Sequence, residues 1–476
     1  MSIDKFTVFV ALIWKFLEKG SYQVILFIVT LVLARLLTPD DYGTVAIVLV
    51  LINLATVFVE GGLSTALVQK KECTQCDYNT ILYFSIIVSI ALYSLLWLFS
   101  SNLANFFSKP ELENIVKSLG LTLILNAVNS VQKAYLIKKM LFKKLFYSSL
   151  IGVSISAVIG IFMAYLGFGI WSLVVQQLSM SLLITVTMWF TVKWRPTNEV
   201  SLNCFKSLFD FGWKIFLTNL SISLFVNIRS LIIGKYYSSS ALAYFDKGKQ
   251  FPSLLMDNLN STIQQVMFPV LSYEQTNTEV IKSLVKRSTT VSSYIIYPLL
   301  VMLAVLAKPL TLILLTEKWI DIVPFIQIFC VANIFMPIQN VNMEAIKSLG
   351  YSNLTLQIEM KKKIIEIFIL IVSIFIGVQA IAWGVAIYNF ICIFINLQPC
   401  KNLFDYGIFE QVKDNLPSFV LSVLLLLSVV WIPFVVNNIF MQVLLIIVVG
   451  FFTYILMSMI FKISSFEYII KLLLNK

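Results

Sequence analysis

Apolar stretches of about 20 residues, the length that crosses a bilayer as a helix, recur along the whole chain with short polar connections between them. The pattern predicts helices over 14–37, 42–67, 79–99, 112–137, 146–167, 170–192, 208–236, 241–270, 288–312, 322–347, 359–377, 380–397, 417–435 and 439–461, an all-α polytopic membrane protein of about fourteen spans. Pro252, Pro298 and Pro337 fall inside spans and are expected to kink them, which neighbouring helices can accommodate.

Two of these helices carry the same polar stripe. Asn53, Thr56, Glu60 and Ser64 mark the second, and Gln250, Ser253, Asp257 and Ser261 the eighth, each pair 197 residues apart. A polar stripe on a lipid-embedded helix must face protein or water. Trp14-Lys15 matches Trp213-Lys214 at an offset of 199, Asn129 matches Asn340 and Lys133 matches Glu344 at 211, and Trp171 matches Trp383 at 212. Such slow drift is what small insertions between two copies produce. Chance matching among abundant Leu, Ile and Val is the competing reading, and four polar matches at one offset, one of them a pair of carboxylates, weigh against it. Six helices then repeat as six in parallel sense, because an even number of spans returns the chain to the same side. The expected organisation is an N-lobe over 1–196 (helices one to six), a C-lobe over 197–400 (helices seven to twelve), and helices thirteen and fourteen with the C-terminal tail over 401–476. The polar linker 193–206, with Pro196, marks the lobe boundary.

Composition agrees with the pattern. The chain is 59% hydrophobic and 12% charged, where soluble domains average about 25% charged residues. The first apolar segment is too long for a signal-peptide core and no small-residue cleavage site follows it, so it reads as an uncleaved span. Orientation follows from the basic residues. With the N-terminus inside, the inner segments hold 24 Lys and Arg and the outer loops hold four (Lys109, Lys235, Lys308, Lys318). The net charge of +11 then needs no nucleic acid to explain it, since it sits where anionic lipid headgroups are. Both termini are expected in the cytoplasm.

Charges within the spans carry the candidate chemistry. Arg229 lies deep in the seventh helix on a face shared with Lys214, Thr218 and Ser221. Lys249 borders the stripe of the eighth helix, which also includes Asp246, Asn260 and Gln264. Arg35, Lys133 and Lys214 can be read as snorkelling to an interface, and Arg229 as a structural ion pair with Asp246 or Asp257. The functional reading is a cationic cavity suited to an anionic substrate such as a pyrophosphate, for which Arg offers a planar fork and Lys a point charge. There is no histidine, which excludes His-based relays, triads and His metal sites. The Cys73/Cys76 pair stands without a second pair and reads as free thiols, so neither a metal site, nor a cofactor, nor a catalytic residue is expected.

The segment Leu33-Ala34-Arg35-Leu36-Leu37-Thr38-Pro39-Asp40-Asp41-Tyr42-Gly43, with Glu60 through Gln69, the basic stretch from Ala134 to Lys144 and the turn from Gly167 to Trp171, resembles the bacterial polysaccharide transporter family of O-antigen and exopolysaccharide flippases, nearest its colanic and teichuronic acid exporter branch. The resemblance runs over essentially the whole chain. It implies a two-lobed fold shared with multidrug extruders, residence in the bacterial cytoplasmic (inner) membrane, and an undecaprenyl-pyrophosphate-linked oligosaccharide as substrate. Of charged positions, only Arg35 and Glu60 carry over by motif. Glu60 and Asp257 beside the cationic face leave both protons and cations open as the driving ion.

The expectation is therefore a flippase working by alternating access rather than an enzyme. Arg229 and Lys249, with Arg35 or Lys214, would hold the pyrophosphate; Asn53, Gln250, Asn260 and Gln264 would meet the sugars; Glu60, Asp257 and Asp246 would serve coupling or gating. Its partners would be the lipid-linked oligosaccharide, membrane lipids and a polysaccharide polymerase with export machinery. A cation-coupled drug extruder of the same fold would want an anionic cavity, against the excess of Lys and Arg. A membrane polymerase or glycosyltransferase would want a sizeable loop for its chemistry, and the predicted loops are short.

Overall fold

The computed structural model describes residues 5–70, 72–273 and 277–474, and every regular element among them is helical. Lys71 and Lys476 from the charge count, and the side chains of Ser261 and Gln264, lie outside the described residues.

In chain order the helices are α1 (Lys5–Leu36), α2 (Pro39–Glu60), α3 (Leu63–Gln69), α4 (Gln75–Leu98), α5 (Ser100–Phe106), α6 (Leu112–Lys138), α7 (Phe142–Tyr165), α8 (Trp171–Thr191), α9 (Leu202–Tyr236) and α10 (Ser239–Tyr273). They continue as α11 (Thr278–Leu314), a 3-10 turn at Glu317–Ile322, α12 (Val323–Ile334), α13 (Met336–Ser348), α14 (Ser352–Ile374), α15 (Val378–Leu397), α16 (Cys400–Phe404), α17 (Ile408–Val429), α18 (Ile432–Val435), α19 (Ile439–Ile460) and α20 (Ser464–Leu474).

Helices stand at every predicted position, but among the described residues ten are long and apolar enough to cross a membrane, or eleven if the pair bent by 41° between α12 and α13 is one span. Fourteen spans is more than apolarity alone supports. The physical reason is visible in α6, α10 and α14, the long helices outside that set, each of which carries several charged or amide side chains along its length. Bulky side chains such as Phe190, Phe375 and Phe434 remain about 80% or more exposed, a surface that acyl chains cover and water would not. The chain is a multi-pass membrane protein.

Two departures concern helix continuity. The second predicted helix, 42–67, is two helices. Gly61 (φ +52°) ends α2 and Gly62 (φ +69°) opens α3, both left-handed, a region that non-glycine residues enter at a cost of about 1–2 kcal/mol. The stripe Asn53, Thr56, Glu60, Ser64 is therefore not on one continuous helix: Ser64 belongs to α3. Of the three prolines expected to kink spans, Pro337 sits in the first turn of α13, next to the 41° bend, whereas Pro252 and Pro298 lie inside unbroken helices.

By packing, the chain divides into two compact units, Met1–Ala243 and Tyr244–Lys476. In the first, α7 packs on α8 and α1, α4 on α6, and α9 on α2 and α3. A core of Leu63, Leu67, Tyr78, Ile81, Val131, Leu136 and Trp194 closes around α3. In the second, α11 is the central helix, touching α12, α13, α17 and α19, and α15 packs on α12 and α14.

Candidate functional site

The turn between α1 and α2 is a structural joint, built from its own sequence. Thr38 caps α2, accepting from the Asp41 amide at 3.2 Å while Asp41 accepts the Thr38 amide at 2.9 Å, and Pro39 fills the first turn, where an amide would be unsatisfied anyway. Asp40 accepts from Lys109 at 2.5 Å and from the Ser239 hydroxyl. Gly43 meets the Ser239 backbone so closely that an added Cβ would lie 1.7 Å from its carbonyl oxygen. The basic stretch after Ala134 is equally structural. Lys138 donates to the Leu67 carbonyl at 3.0 Å, to the Lys70 carbonyl, and to Cys73 Sγ at 2.9 Å, a cation on the C-terminal carbonyls of α3.

In the first unit, α2 and α9 leave a cleft of about 420 Å³ that holds Asn53 and Glu60 on one wall and Asn219, Ser223 and Asn227 on the other. Asn227 donates to the Ser223 carbonyl at 2.8 Å and to its hydroxyl at 3.2 Å. Thr56 is satisfied by its own helix, donating to the Ile52 carbonyl at 2.8 Å. Lys133 of α6 is the basic side chain whose charge bears on Glu60. The α9 wall was missed by sequence reasoning, although its signal is plain: Asn219, Ser223 and Asn227 recur every four residues on one face of a largely apolar helix. Arg229 sits about a third of a turn round α9 from the centre of that face at 100° per residue and does not line the cleft. Lys214 and Arg35 are exposed elsewhere in the same unit.

The second unit has a polar side and a cavity of its own. At 100° per residue, Asp246, Lys249, Gln250, Ser253, Asp257 and Asn260 fall on one side of α10, over about 21 Å of its length. The side next to it is buried through Gly248, Pro252, Met256 and Ile263. Lys247, which the sequence reading left out, donates to Gln250 at 3.3 Å. Asn260 accepts from Asn340 of α13 at the mouth of a cavity of about 250 Å³ formed by α10, α13, α14 and α15. Its walls carry two ion pairs, Lys347–Glu344 at 2.8 Å and Lys362–Glu359 at 2.6 Å, and an amide ladder in which Asn396 donates to Gln339 at 3.1 Å and Gln339 to the Asn389 carbonyl at 2.8 Å. Asn396 Oδ1 is buried with no protein donor. Of the residues predicted for a site, then, Asn53 and Glu60 come together on α2, and Asp246, Lys249, Gln250, Asp257 and Asn260 share one side of α10. A cavity of amides and balanced ion pairs can exchange hydrogen bonds with hydroxyl-rich ligands without burying an unpaired charge. Cys73 and Cys76 are free thiols, and among the described residues no cluster of acidic or thiol side chains is placed to hold a metal.

Comparison with known proteins agrees with this architecture. The succinoglycan biosynthesis transport protein ExoT of Rhizobium meliloti is 26% identical over 310 residues, 64% of this chain and 62% of that protein, so the match spans somewhat less than two thirds of that relative. The lipopolysaccharide biosynthesis protein WzxC of Escherichia coli is 24% identical over 85% of this chain and 80% of its own. Among solved structures, the lipid II flippase MurJ in an inward closed conformation superposes with a TM-score of 0.75 over 94% of this chain and 98% of its own, at 15% identity, which shows a shared fold. Residues 32–324 match the family model described as "Polysaccharide biosynthesis protein", and the chain belongs to that family.

Proposed function

We propose that this protein is a flippase that carries an undecaprenyl-pyrophosphate-linked oligosaccharide from the inner to the outer leaflet of the bacterial cytoplasmic membrane, with both termini in the cytoplasm. One observation carries the reading: α10 keeps a six-residue polar side over about 21 Å, most of a bilayer's hydrocarbon depth, in a chain that is 59% hydrophobic. Such a side is too costly to leave in lipid and serves as a path for a polar headgroup. Family membership, a relative named as a succinoglycan transport protein and the fold shared with a lipid II flippase support the same conclusion.

In this account the repeated halves, helices one to six and seven to twelve, rock against each other around the headgroup while the polyprenyl tail stays in lipid. Arg229 and Lys249, with Arg35 or Lys214, neutralise the pyrophosphate; Asn53, Gln250, Asn260 and Gln264 exchange hydrogen bonds with the sugars. Glu60, Asp257 and Asp246 respond to the driving ion or gate the path. The protein performs transport and no covalent chemistry, and it hands its cargo to a polysaccharide polymerase. Deleting the gene should abolish surface polysaccharide and make lipid-linked repeat units accumulate, and the wild-type chain should reverse both. Loss of polymer with no accumulation would instead place the protein in synthesis of the unit and overturn the proposal.

A further inference from the structure

We propose that the cleft between the first turns of α11 and the start of α20 is a binding site for the phosphate of an anionic phospholipid headgroup, which fastens the C-terminal helix to the bundle. The cleft encloses about 370 Å³ and is lined by Lys286, Arg287, Ser283 and Thr290 of α11 and by Ser465 and Tyr468 of α20. Both charged side chains in its wall are basic.

Arg287 is the centre of the site. Its guanidinium carbon lies 3.6 Å from the centroid of the Tyr468 ring. Stacking fixes the guanidinium plane over the aromatic face and leaves its in-plane N–H groups free to grip two phosphate oxygens, which a lysine cannot do. Neighbouring cations are spoken for: Lys286 donates to Asp414 at 2.8 Å, and Lys282 pairs with Glu410 at 3.0 Å and Asp405 at 3.4 Å. Among the described residues no carboxylate pairs with Arg287. Hydroxyls complete the wall. Ser465 is only 4% exposed yet borders the cavity and has a hydroxyl proton to offer a phosphate oxygen, whereas Thr290 spends its own on the Lys286 and Arg287 carbonyls.

A lipid fits better than a soluble anion because of what lies beneath. Phe466 and Ile469 of α20 pack into an apolar core with Tyr294, Tyr454 and Leu425, so one side of the short helix is anchored while Tyr468 reaches the cleft. The cleft also lies at the lysine-rich end of the bundle, where positive charge meets the anionic leaflet. A headgroup phosphate there would bridge α11 and α20 while its acyl chains follow the apolar flank.

The test uses the purified full-length chain in neutral detergent and does not depend on transport. Its melting temperature is titrated with phosphatidylglycerol, with phosphatidylcholine and with inorganic phosphate. Phosphatidylglycerol should raise the melting point saturably and the other two should not. Arg287→Gln should weaken the apparent affinity for phosphatidylglycerol about fivefold, in line with one basic residue at an anionic leaflet. Arg287→Lys should fall between, and Lys413→Gln, outside the cleft, should match wild type. If inorganic phosphate alone gave the full shift, the lipid assignment would be overturned. Equal shifts in wild type and Arg287→Gln, both folded by size-exclusion, would overturn the site. Because these readouts ignore flipping, they can fail while the transport proposal stands, and the reverse.

Discussion

Replacing Gly62 by alanine tests whether the break in the second span is a required close approach or an incidental bend. A Cβ built at Gly62 would lie 2.2 Å from the Gly212 carbonyl oxygen and 2.8 Å from the Phe216 amide nitrogen of α9, both well short of the 3.4 Å where ordinary contact begins. Both obstacles are backbone, so no rotamer change relieves them, and α3 would have to part from α9. Forcing a side chain into a filled interface costs about 1–3 kcal/mol, and the left-handed conformation at φ +69° adds about 1–2 kcal/mol. The sum, about 2–5 kcal/mol, should show as a clear drop in melting temperature of the detergent-purified protein and in its level in the membrane. Gly61 is the internal control. It is also left-handed, at φ +52°, but its nearest neighbours to a new Cβ are 3.5 Å away, so Gly61→Ala should carry only the backbone cost of about 1–2 kcal/mol. If Gly62→Ala melted no lower than Gly61→Ala, the approach of α3 to α9 would not be the reason for glycine there.

Asp77→Ala removes a fully buried carboxylate that accepts from Lys70 at 2.8 and 2.9 Å and from the Thr74 amide at 2.9 Å, and should cost about 2 kcal/mol in thermal stability. That pair holds the Lys70 ammonium above its ordinary pKa, so between the ordinary carboxylate and lysine ranges the contribution is complete, and on the basic side it is lost as pH rises past the lysine range; the loss on mutation should be equal in mildly acidic and mildly basic buffer. Glu60→Gln with Asp257→Asn should reduce surface polysaccharide while leaving membrane insertion intact, and full complementation by the double variant would make both carboxylates bystanders. Arg229→Lys should be impaired less than Arg229→Ala if the fork grips phosphate, and wild-type polymer yield from Arg229→Ala at equal protein level would remove this residue from the cationic path.

The membrane class, the helix positions and the polar side of α10 were legible because they rest on local signals: apolar length, and polar residues repeating every three to four positions. Asp246 through Asn260 needed no tertiary information to be placed together. The α9 wall of Asn219, Ser223 and Asn227 carries the same kind of signal, on a different side of that helix from the charges of Arg229 and Lys214. The break at Gly61–Gly62 was legible only in part. Two adjacent glycines permit a left-handed turn, but what demands one is the nearness of Gly212, which lies far along the chain. The cavity beside Asn260 was illegible for a similar reason, since Glu344, Glu359 and Asn396 come from three helices whose packing no single-helix pattern reveals. Charged side chains also cost α6, α10 and α14 the apolarity by which spans are counted.

The central claim is that the chain moves a lipid-linked oligosaccharide across the membrane, and the most direct measurement is the leaflet in which that lipid resides. Cells lacking the protein and cells carrying it are compared, with polymerisation blocked, for labelling of the lipid-linked sugar by a membrane-impermeant reagent added from outside. The account predicts that the sugar is shielded without the protein, becomes labelled when the wild-type chain is supplied, and is labelled less with Arg229→Ala at equal protein level. Equal labelling with and without the protein would contradict it.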